Sequence, residues 1–367
     1  MTIPILICDD SKFAQKQMVR ALPENWDVQI SYANDGVEGL DVIRKGLGNI
    51  VFLDLNMPNM DGYGVLEAIQ IEDLPALVIV VSGDIQPQAY TRVTQMGALD
   101  FIKKPSNREE IRDILLRYGV VTEQELSPSV ELPQEQPKAS EEDKTSQDEA
   151  SEPKSVKKSS RSGADDIIDY RDQYQEIANV AMGRAGDLLA RMLGAFVVLP
   201  IPNVNILAIS ELHMALTAVA EDDSISAVCQ GYIGAGINGE ALLLFHDSSF
   251  EDLAQLMRYE GDLDDAGQLE VLMDVANILI GACLKGIADQ LDMHFSQGHP
   301  VVLGQHTNIN ELIEASTRQW KSKTLAIEIN YAIENHNIKC DLLLLFTEDS
   351  LPTINNKLIY IIEGSDA

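Results

Sequence analysis

Residues 50–62 read IVFLDLNMPNMDG, and this stretch decides the fold of the N-terminal part of the chain. Four apolar residues form a short run that ends at Asp54, and Asn, Pro and Gly follow as turn signals. A short apolar run between turn signals is typical of a strand that is buried on both faces of a sheet. The stretch therefore predicts a central parallel strand with an acidic residue at its carboxyl end.

Four further apolar runs lie on either side of this strand, at 4–8, 28–33, 76–81 and 99–102. Amphipathic segments alternate with the runs, at 13–22, 36–44, 62–70, 88–96 and 108–118. This alternation predicts a doubly wound, flavodoxin-like α/β domain with a parallel sheet over residues 1–121. Ligands of such sheets bind at the carboxyl ends of the strands.

Polar side chains follow four of these strands: Asp9 and Asp10, Asp54, Ser82, and Lys104. Three carboxylates in one crevice repel one another and attract a hard divalent cation, which favours Mg²⁺. A cation beside Asp54 would let its carboxylate attack a phosphoryl donor, because it neutralises the spreading oxygen charge. The Ser82 hydroxyl and the Lys104 ammonium are then placed to hold the remaining phosphoryl oxygens.

The motifs CDDS (8–11), DLNMPNMDG (54–62), VVSGD (80–84) and GALDFIKKP (97–105) resemble, in order and spacing, the CheY-like receiver domain of response regulators. The resemblance implies that Asp54 accepts the phosphoryl group from a CheA-like histidine kinase. It also implies a Mg²⁺ site formed by Asp9, Asp10, Asp54 and Asn56. A phosphoryl-binding switch is implied at Ser82, Lys104 and Phe101. The alternative is a receiver-like fold that has lost phosphorylation.

Residues 122–165 are rich in Ser, Glu, Gln and Lys and contain four prolines but no aromatic residue. Such a composition cannot bury enough apolar area to offset the entropy of ordering. We therefore predict a flexible acidic linker between two folded halves.

Residues 166–367 carry one motif twice: Asp172-x3-Glu176-x2-Asn179-x3-Gly183 and Glu270-x3-Asp274-x2-Asn277-x3-Gly281. The sequence LLLF at 242–245 likewise recurs at 343–346. Two recurring landmarks at similar offsets predict a duplicated α+β unit with pseudo-twofold symmetry, with repeats at about 166–262 and 263–367. The motif helices are predicted at 166–193 and 267–291, with both motif glycines where helices cross. Asn238-Gly239 predicts a hairpin turn.

In each motif an acid and an amide lie three residues apart, so they share one helix face. An amide can orient a water while the carboxylate pairs with a lysine, which suits hydrolysis of an acyl phosphate. The tandem motif resembles the CheC/CheX/FliY family of CheY-phosphate phosphatases, and the two-copy arrangement is most similar to CheC. The resemblance implies two catalytic pairs, Glu176 with Asn179 and Asp274 with Asn277. Asp274 departs from the family's Glu and is one methylene shorter.

Charge excludes one class of function. The chain carries 27 Lys and Arg against 58 Asp and Glu, for a net charge of −31, and residues 166–367 hold ten basic side chains against thirty acidic ones. This balance argues against binding to nucleic acid, which needs basic side chains beside phosphates. Four scattered cysteines, with no signal peptide or long uncharged apolar run, predict a reduced cytoplasmic protein with buried thiols.

Together the two halves predict a two-component or chemotaxis response regulator whose output domain is a phosphatase for aspartyl phosphate. The substrate is a CheY-like receiver, either a separate protein, which we favour, or the attached receiver. The alternative is a non-enzymatic adaptor that binds chemotaxis or flagellar switch proteins. A CheD-like protein is a further expected partner.

Overall fold

The computed structural model describes residues 2–123, 163–208, 211, 224–307 and 324–363. Of residues 163–169 and 362–363 only the backbone is described. The predicted linker, 122–165, falls almost entirely outside the described residues.

The N-terminal domain alternates strands and helices: β1 (Ile3–Cys8), α1 (Lys12–Ala21), β2 (Val28–Ala33), α2 (Gly36–Arg44), β3 (Ile50–Leu53), α3 (Gly62–Glu72), β4 (Leu77–Ser82), α4 (Pro87–Gln95), β5 (Asp100–Lys103) and α5 (Arg108–Arg117). The five strands pair in parallel in the order β2-β1-β3-β4-β5. This arrangement confirms the predicted flavodoxin-like fold.

Successive side chains along β1 point to opposite faces of the sheet and so reach two separate cores, one on each face. Ile5 and Ile7 join the core that includes Met18 of α1 and Ile111 of α5. Leu6 and Cys8, on the other face, join the core under α2 and α3. Because both faces are covered, every residue of β3 is buried, which explains its unbroken apolar sequence.

The C-terminal half combines long helices with an antiparallel sheet. Its elements are α6 (Gly163–Leu193), β6 (Val197–Val198), β7 (Asn203–Leu207), β8 (Ile225–Gly234), β9 (Ile237–His246), α7 (Phe250–Met257), α8 (Asp265–Gln290), β10 (Ser296–Gln297), β11 (Val301–Thr307), β12 (Thr324–Ile333), β13 (Lys339–Thr347) and α9 (Leu351–Glu363). The main strand path is β10-β8-β9-β13-β12-β6, with β11 also on β8 and β7 also on β12.

Helices α6 and α8 pack on one face of this sheet and share its largest core, which contains Met182, Leu279 and Phe245. The helices approach closely at Gly286, where a Cβ would lie 2.8 Å from the Cα of Ala181. The prediction of close packing at the motif glycines is correct for Gly183, although its partner is the Gly83 carbonyl and not a helix, and it is wrong for Gly281, whose Cβ would meet no described atom within 4 Å. A side chain at position 286 would push the helices apart, and this residue makes the crossing instead.

Helix α8 is long and apolar enough to cross a membrane by length and composition, which differs from the prediction that the chain holds no long uncharged apolar run. In its most apolar window, 61% of the residues are buried inside the protein. Its apolar character is thus explained by packing against α6 and the sheet. Cys8, Cys283 and Cys340 are buried and Cys229 is partly exposed, and all four are free thiols.

The hairpin between β8 and β9 turns three residues earlier than predicted. Ala235 and Gly236 form the turn with φ angles of 48° and 86°, whereas Asn238 and Gly239 lie within β9, opposite Ile233 and Tyr232. Gly239 serves packing instead, because a Cβ there would lie 2.1 Å from the Leu345 carbonyl oxygen. The prediction of a turn at Asn238-Gly239 is therefore wrong, and Gly239 is needed for close packing within β9 instead.

Candidate functional site

Three acidic residues converge at the carboxyl ends of β1 and β3, as the sequence predicted. The carboxylate oxygens of Asp9, Asp10 and Asp54 lie within 4.8 Å of one another. Asp9 and Asp54 are buried, and Asp10 is partly exposed. Backbone N–H groups hold two of them in place, since Ser11 donates to Asp9 at 2.9 Å and Leu55 donates to Asp54 at 2.7 Å.

Lys104, one residue beyond β5, supplies the positive charge of this crevice. Its Nζ lies 2.8 Å from Asp9 and 3.1 Å from Asp54. A third carboxylate, from Glu176 of α6 in the C-terminal half, lies 3.3 Å from the same nitrogen. Burial alone would lower the pKa of Lys104, but Asp54, Asp9 and Glu176 raise it well above its usual value. The lysine is therefore charged and shared between the two halves.

Burial first, and then the charges of neighbouring carboxylates, raise the pKa values of the carboxyl groups in this crevice. Burial raises the pKa of Asp54 to about 6, with Lys104 acting in the opposite direction. Burial, then the charges of Asp54 and Asp9, raise the pKa of Asp10 to about 7. Burial likewise raises the pKa of Glu176 to about 8, although Lys104 lowers it in part. An additional cation would relieve this repulsion.

The donor set fits a magnesium ion. Three carboxylates within 4.8 Å of one another offer the hard oxygen ligands that Mg²⁺ prefers. Asn56 follows Asp54 by two residues, in the turn after β3. Asp9, Asp10, Asp54 and the Asn56 carbonyl are thus the residues that could hold the ion.

The two remaining predicted receiver residues lie on β4 and β5. Ser82 ends β4, is fully buried, and its Oγ accepts a hydrogen bond from the Asp84 N–H at 3.1 Å. Phe101 lies on β5, 9% exposed, with its ring edge-on to Tyr90 at 6.0 Å between centroids. Ser82 therefore ends the strand next to β3, whereas Phe101 lies inside β5 and packs against α4.

Helix α6 carries the first motif directly onto the receiver crevice. Glu176 and Asn179 are 4% and 6% exposed. Asn179 lies one turn beyond Glu176, and its Oδ1 is buried with no hydrogen-bond partner among the described side chains and backbone. Gly183, one turn further, meets the β4–α4 loop so closely that a Cβ would lie 1.9 Å from the Gly83 carbonyl oxygen. Thus Gly183 lets the two backbones touch.

The second motif lies elsewhere. Asp274 and Asn277 are both exposed on α8, and among the described residues a Cβ at Gly281 would meet no atom within 4 Å. The structure therefore brings the first acid and amide pair to the receiver crevice and leaves the second pair on an open helix face.

Sequence reasoning missed several contacts that join the two halves. The Phe13 N–H donates to Asp172 at 2.7 Å, and Gln175 donates to Asp10 at 3.5 Å. Arg92 of α4 pairs with Glu334 at 3.2 Å. Gln86 makes two hydrogen bonds with the backbone of Val197, at 2.8 and 2.9 Å. Only Asp172, the first position of the repeated motif, carried a signal that could have indicated its contact.

Comparison with known proteins agrees with the N-terminal fold and site. Residues 5–116 match the response regulator receiver domain family. The N-terminal domain is therefore a CheY-like receiver domain, which supports a role in two-component signalling.

Among relatives, a protein-glutamate methylesterase/protein-glutamine glutaminase of Geobacter sulfurreducens is 36% identical over 115 residues, which are 30% of this chain and 31% of that protein. A probable transcriptional regulatory protein NarL of Mycobacterium tuberculosis is 33% identical over 110 residues, 30% of this chain and 51% of that protein. The chain thus spans about a third to a half of the length of these relatives. The two differ in name although both match this receiver.

Two solved structures are similar to parts of this chain. One chain of a CheX–CheY complex from Borrelia burgdorferi is 32% identical, with a TM-score of 0.30, over 32% of this chain and 89% of that chain. FliY of Thermotoga maritima is 17% identical, with a TM-score of 0.39, over 52% of this chain and 95% of that one.

Proposed function

We propose that the C-terminal half hydrolyses the aspartyl phosphate that forms on Asp54 of the attached receiver. One observation carries this proposal. The Lys104 ammonium lies 3.1 Å from Asp54 and 3.3 Å from Glu176, and Asn179 follows one turn later with an unpartnered amide oxygen. An acid that holds the receiver lysine, beside a free amide, is the arrangement that water-mediated hydrolysis needs.

Each side chain has a distinct role in this scheme. Asp54 carries the phosphoryl group, and Lys104 with the Ser82 hydroxyl holds its oxygens. Glu176 orients Lys104, and Asn179 accepts a hydrogen bond from the attacking water and aligns it opposite the Asp54 oxygen. Water adds to phosphorus, the bond to the Asp54 oxygen breaks, and inorganic phosphate leaves. Magnesium bound at the acidic cluster supplies neutralisation of the phosphoryl oxygens.

The proposed output domain is CheC-like, with an internal pseudo-twofold repeat. The order of elements supports the repeat, because a long helix, short strands, a two-stranded hairpin and a further helix occur twice. The hairpins β8–β9 and β12–β13 each pair antiparallel, and β9 and β13 pair with each other at the centre of the sheet. Helix α6 opens the first unit and α8 opens the second.

The exposed second motif supports a further role toward a separate CheY-like receiver. Asp274 and Asn277 share an open face of α8, so a receiver in solution can reach them. Because Asp274 is one methylene shorter than Glu, the lysine of that receiver must then come closer to α8 to reach its carboxylate. We propose a CheA-like histidine kinase as phosphodonor, with the chemotaxis pathway as the setting. The sequence favoured a separate receiver as substrate, whereas the contacts at α6 favour the attached one at the first site.

The test is loss of phosphate from the full-length chain. The protein is phosphorylated with a small acyl phosphate and Mg²⁺, the donor is removed, and the decay of phosphorylated Asp54 is followed. We expect Asn179→Ala to slow the decay by roughly a hundredfold. Asp54→Asn should take up no phosphate, and the matched control Asn277→Ala should leave this decay unchanged.

Equal decay in the wild type and in Asn179→Ala would contradict the phosphatase and favour the adaptor. In that case Glu176 would serve only to hold the receiver on α6, and the exposed α8 face would be left as a binding surface for signalling partners.

A further inference from the structure

Gln86 lies at the boundary between the two halves and is fully buried. It occupies the N-cap position of α4, yet its side chain makes no capping hydrogen bond to that helix. Pro87 follows at the first helical position, where the missing N–H reduces the need for a cap. The Gln86 amide is therefore available for another partner.

That partner is the backbone of Val197 in the short strand β6. The Val197 N–H donates to Gln86 Oε1 at 2.9 Å, and Gln86 Nε2 donates to the Val197 carbonyl oxygen at 2.8 Å. The side-chain amide thus takes the place of a peptide group from a neighbouring strand. On its other side β6 pairs with β12, with Val197 opposite Ile333. The receiver thereby extends the edge of the antiparallel sheet by one amide group.

We infer that Gln86 is a positioning residue that seats the attached receiver on α6 by closing the edge of β6. Two hydrogen bonds of opposite direction require a donor and an acceptor side by side on one planar group, which the carboxamides of Asn and Gln provide. Because the site is buried, loss of the amide leaves both Val197 backbone groups without partners. The pair therefore fixes the position and orientation of the receiver.

The loop that carries Gln86 begins beside the phosphorylation site. Ser82 Oγ accepts from the Asp84 N–H at 3.1 Å, and Asp84 Oδ1 accepts from the Gln86 N–H at 3.1 Å. This chain of hydrogen bonds sets the Gln86 backbone relative to the end of β4. Between them, Gly83 packs against Gly183. The two hydrogen bonds between Gln86 and Val197, called the clamp below, and the proposed catalytic contacts of α6 thus lie at two ends of the β4–α4 loop.

For catalysis the inference rests on the proposed function, because a seated receiver presents Asp54 to Asn179 within one chain. The clamp itself is a statement about docking. Its test therefore uses the full-length, unphosphorylated protein and a readout that needs no phosphatase activity.

Hydrogen exchange at the Val197 amide provides that readout. We expect this amide to exchange slowly in the wild type and at least roughly tenfold faster in Gln86→Ala, from the lost partner of a buried N–H. Gln86→Glu should also speed it, because a carboxylate would face the Val197 carbonyl. Gln88→Ala, at an exposed position on the same helix, is the matched control and should leave the exchange unchanged.

Amides of the central strand β13 should keep their protection in all these variants, which separates loss of docking from loss of folding. Fast exchange at Val197 in the wild type, or equal exchange in the wild type and both Gln86 variants, would overturn the inference. Asn179→Ala should leave Val197 slow. If the decay assay contradicts the phosphatase while Val197 responds to Gln86, docking stands without hydrolysis.

Discussion

At the scale of single residues, Lys104 explains why the two halves meet where they do. One ammonium serves Asp9, Asp54 and Glu176, and all four side chains are buried. Burial raises the pKa of Glu176 and Lys104 lowers it in part, so the lysine offsets some of the cost of burying this carboxyl group at the interface. The docking of α6 is therefore specific to a receiver whose lysine is in reach.

Gly183 provides a sharp test of this docking. A Cβ at this position would lie 1.9 Å from the Gly83 carbonyl oxygen, so Gly183→Ala should separate α6 from the receiver loop. We expect faster hydrogen exchange at Val197 and slower decay of phosphorylated Asp54. Gly281→Ala, at the corresponding position of the second motif, meets nothing within 4 Å and should behave as the wild type. Equal effects of the two substitutions would contradict the observed contact.

Asp84 makes stability depend on pH. Burial raises its pKa from 3.8 to about 6, with the Asp187 charge adding to the shift. The folded protein thus holds a proton that the unfolded chain releases, and the stability this confers at low pH is lost as pH rises from about 4 to above 6. Asp84→Asn keeps an acceptor for the Gln86 N–H and removes the charge.

We therefore expect Asp84→Asn to raise the free energy of unfolding by about 1–3 kcal/mol near pH 7 and to have little effect near pH 4. Urea unfolding at the two pH values measures this difference. Asp113→Asn, at an exposed position on α5, is the control. A gain that is the same at both pH values would show that the Asp84 charge is not its source.

At the scale of elements, the two central hairpins of the C-terminal half carry most of its sheet. Strand β9 pairs with β8 on one side and with β13 on the other, so its residues tolerate little change in volume. Gly239 lies in this strand, beneath the Tyr232 ring and against the Leu345 carbonyl. Tyr232 in turn donates its hydroxyl hydrogen to that carbonyl at 3.0 Å.

Gly239→Ala should therefore lower the free energy of unfolding of the C-terminal half by about 2 kcal/mol or more, because the new methyl group overlaps Tyr232 and Leu345. Chemical denaturation followed by far-UV circular dichroism measures the loss. Gly231→Ala is the control on the neighbouring strand, since the nearest atom to its Cβ would lie 4.0 Å away. A stable Gly239→Ala protein would show that the hairpins can separate at low cost.

At the scale of the whole molecule, one receiver covers one of two similar helices. The contacts run from Asp172 on α6, through Glu176, to Val197 on β6 and Glu334 after β12. They engage α1, the β4–α4 loop and α4 of the receiver. With the receiver attached to the same chain, its effective concentration at α6 is set by the chain itself.

Decay of phosphorylated Asp54 should therefore be first order, with a rate constant that does not change over a hundredfold range of protein concentration, as expected for an intramolecular step. The measurement follows bound phosphate after donor removal in a dilution series. A rate that rises in proportion to concentration would place the reaction between chains and transfer it to the exposed Asp274 and Asn277 face of α8.

The sequence by itself determined the receiver fold and the composition of its acidic crevice. Alternating apolar runs and amphipathic helices allow few arrangements, and parallel strands bring residues such as Asp9, Asp54 and Lys104 to one edge. The spacing of Glu176 and Asn179 likewise indicated a shared helix face, because helical periodicity is local.

Tertiary structure alone decided which motif meets the receiver, which glycines lie between backbones, and that Gln86 closes the edge of β6. The two motifs are nearly alike in sequence, and an Asn-Gly pair within a strand resembles one in a turn. These choices depend on the shapes of surfaces far apart in the chain. Close backbone approach and burial of a polar group arise only when both surfaces are in place.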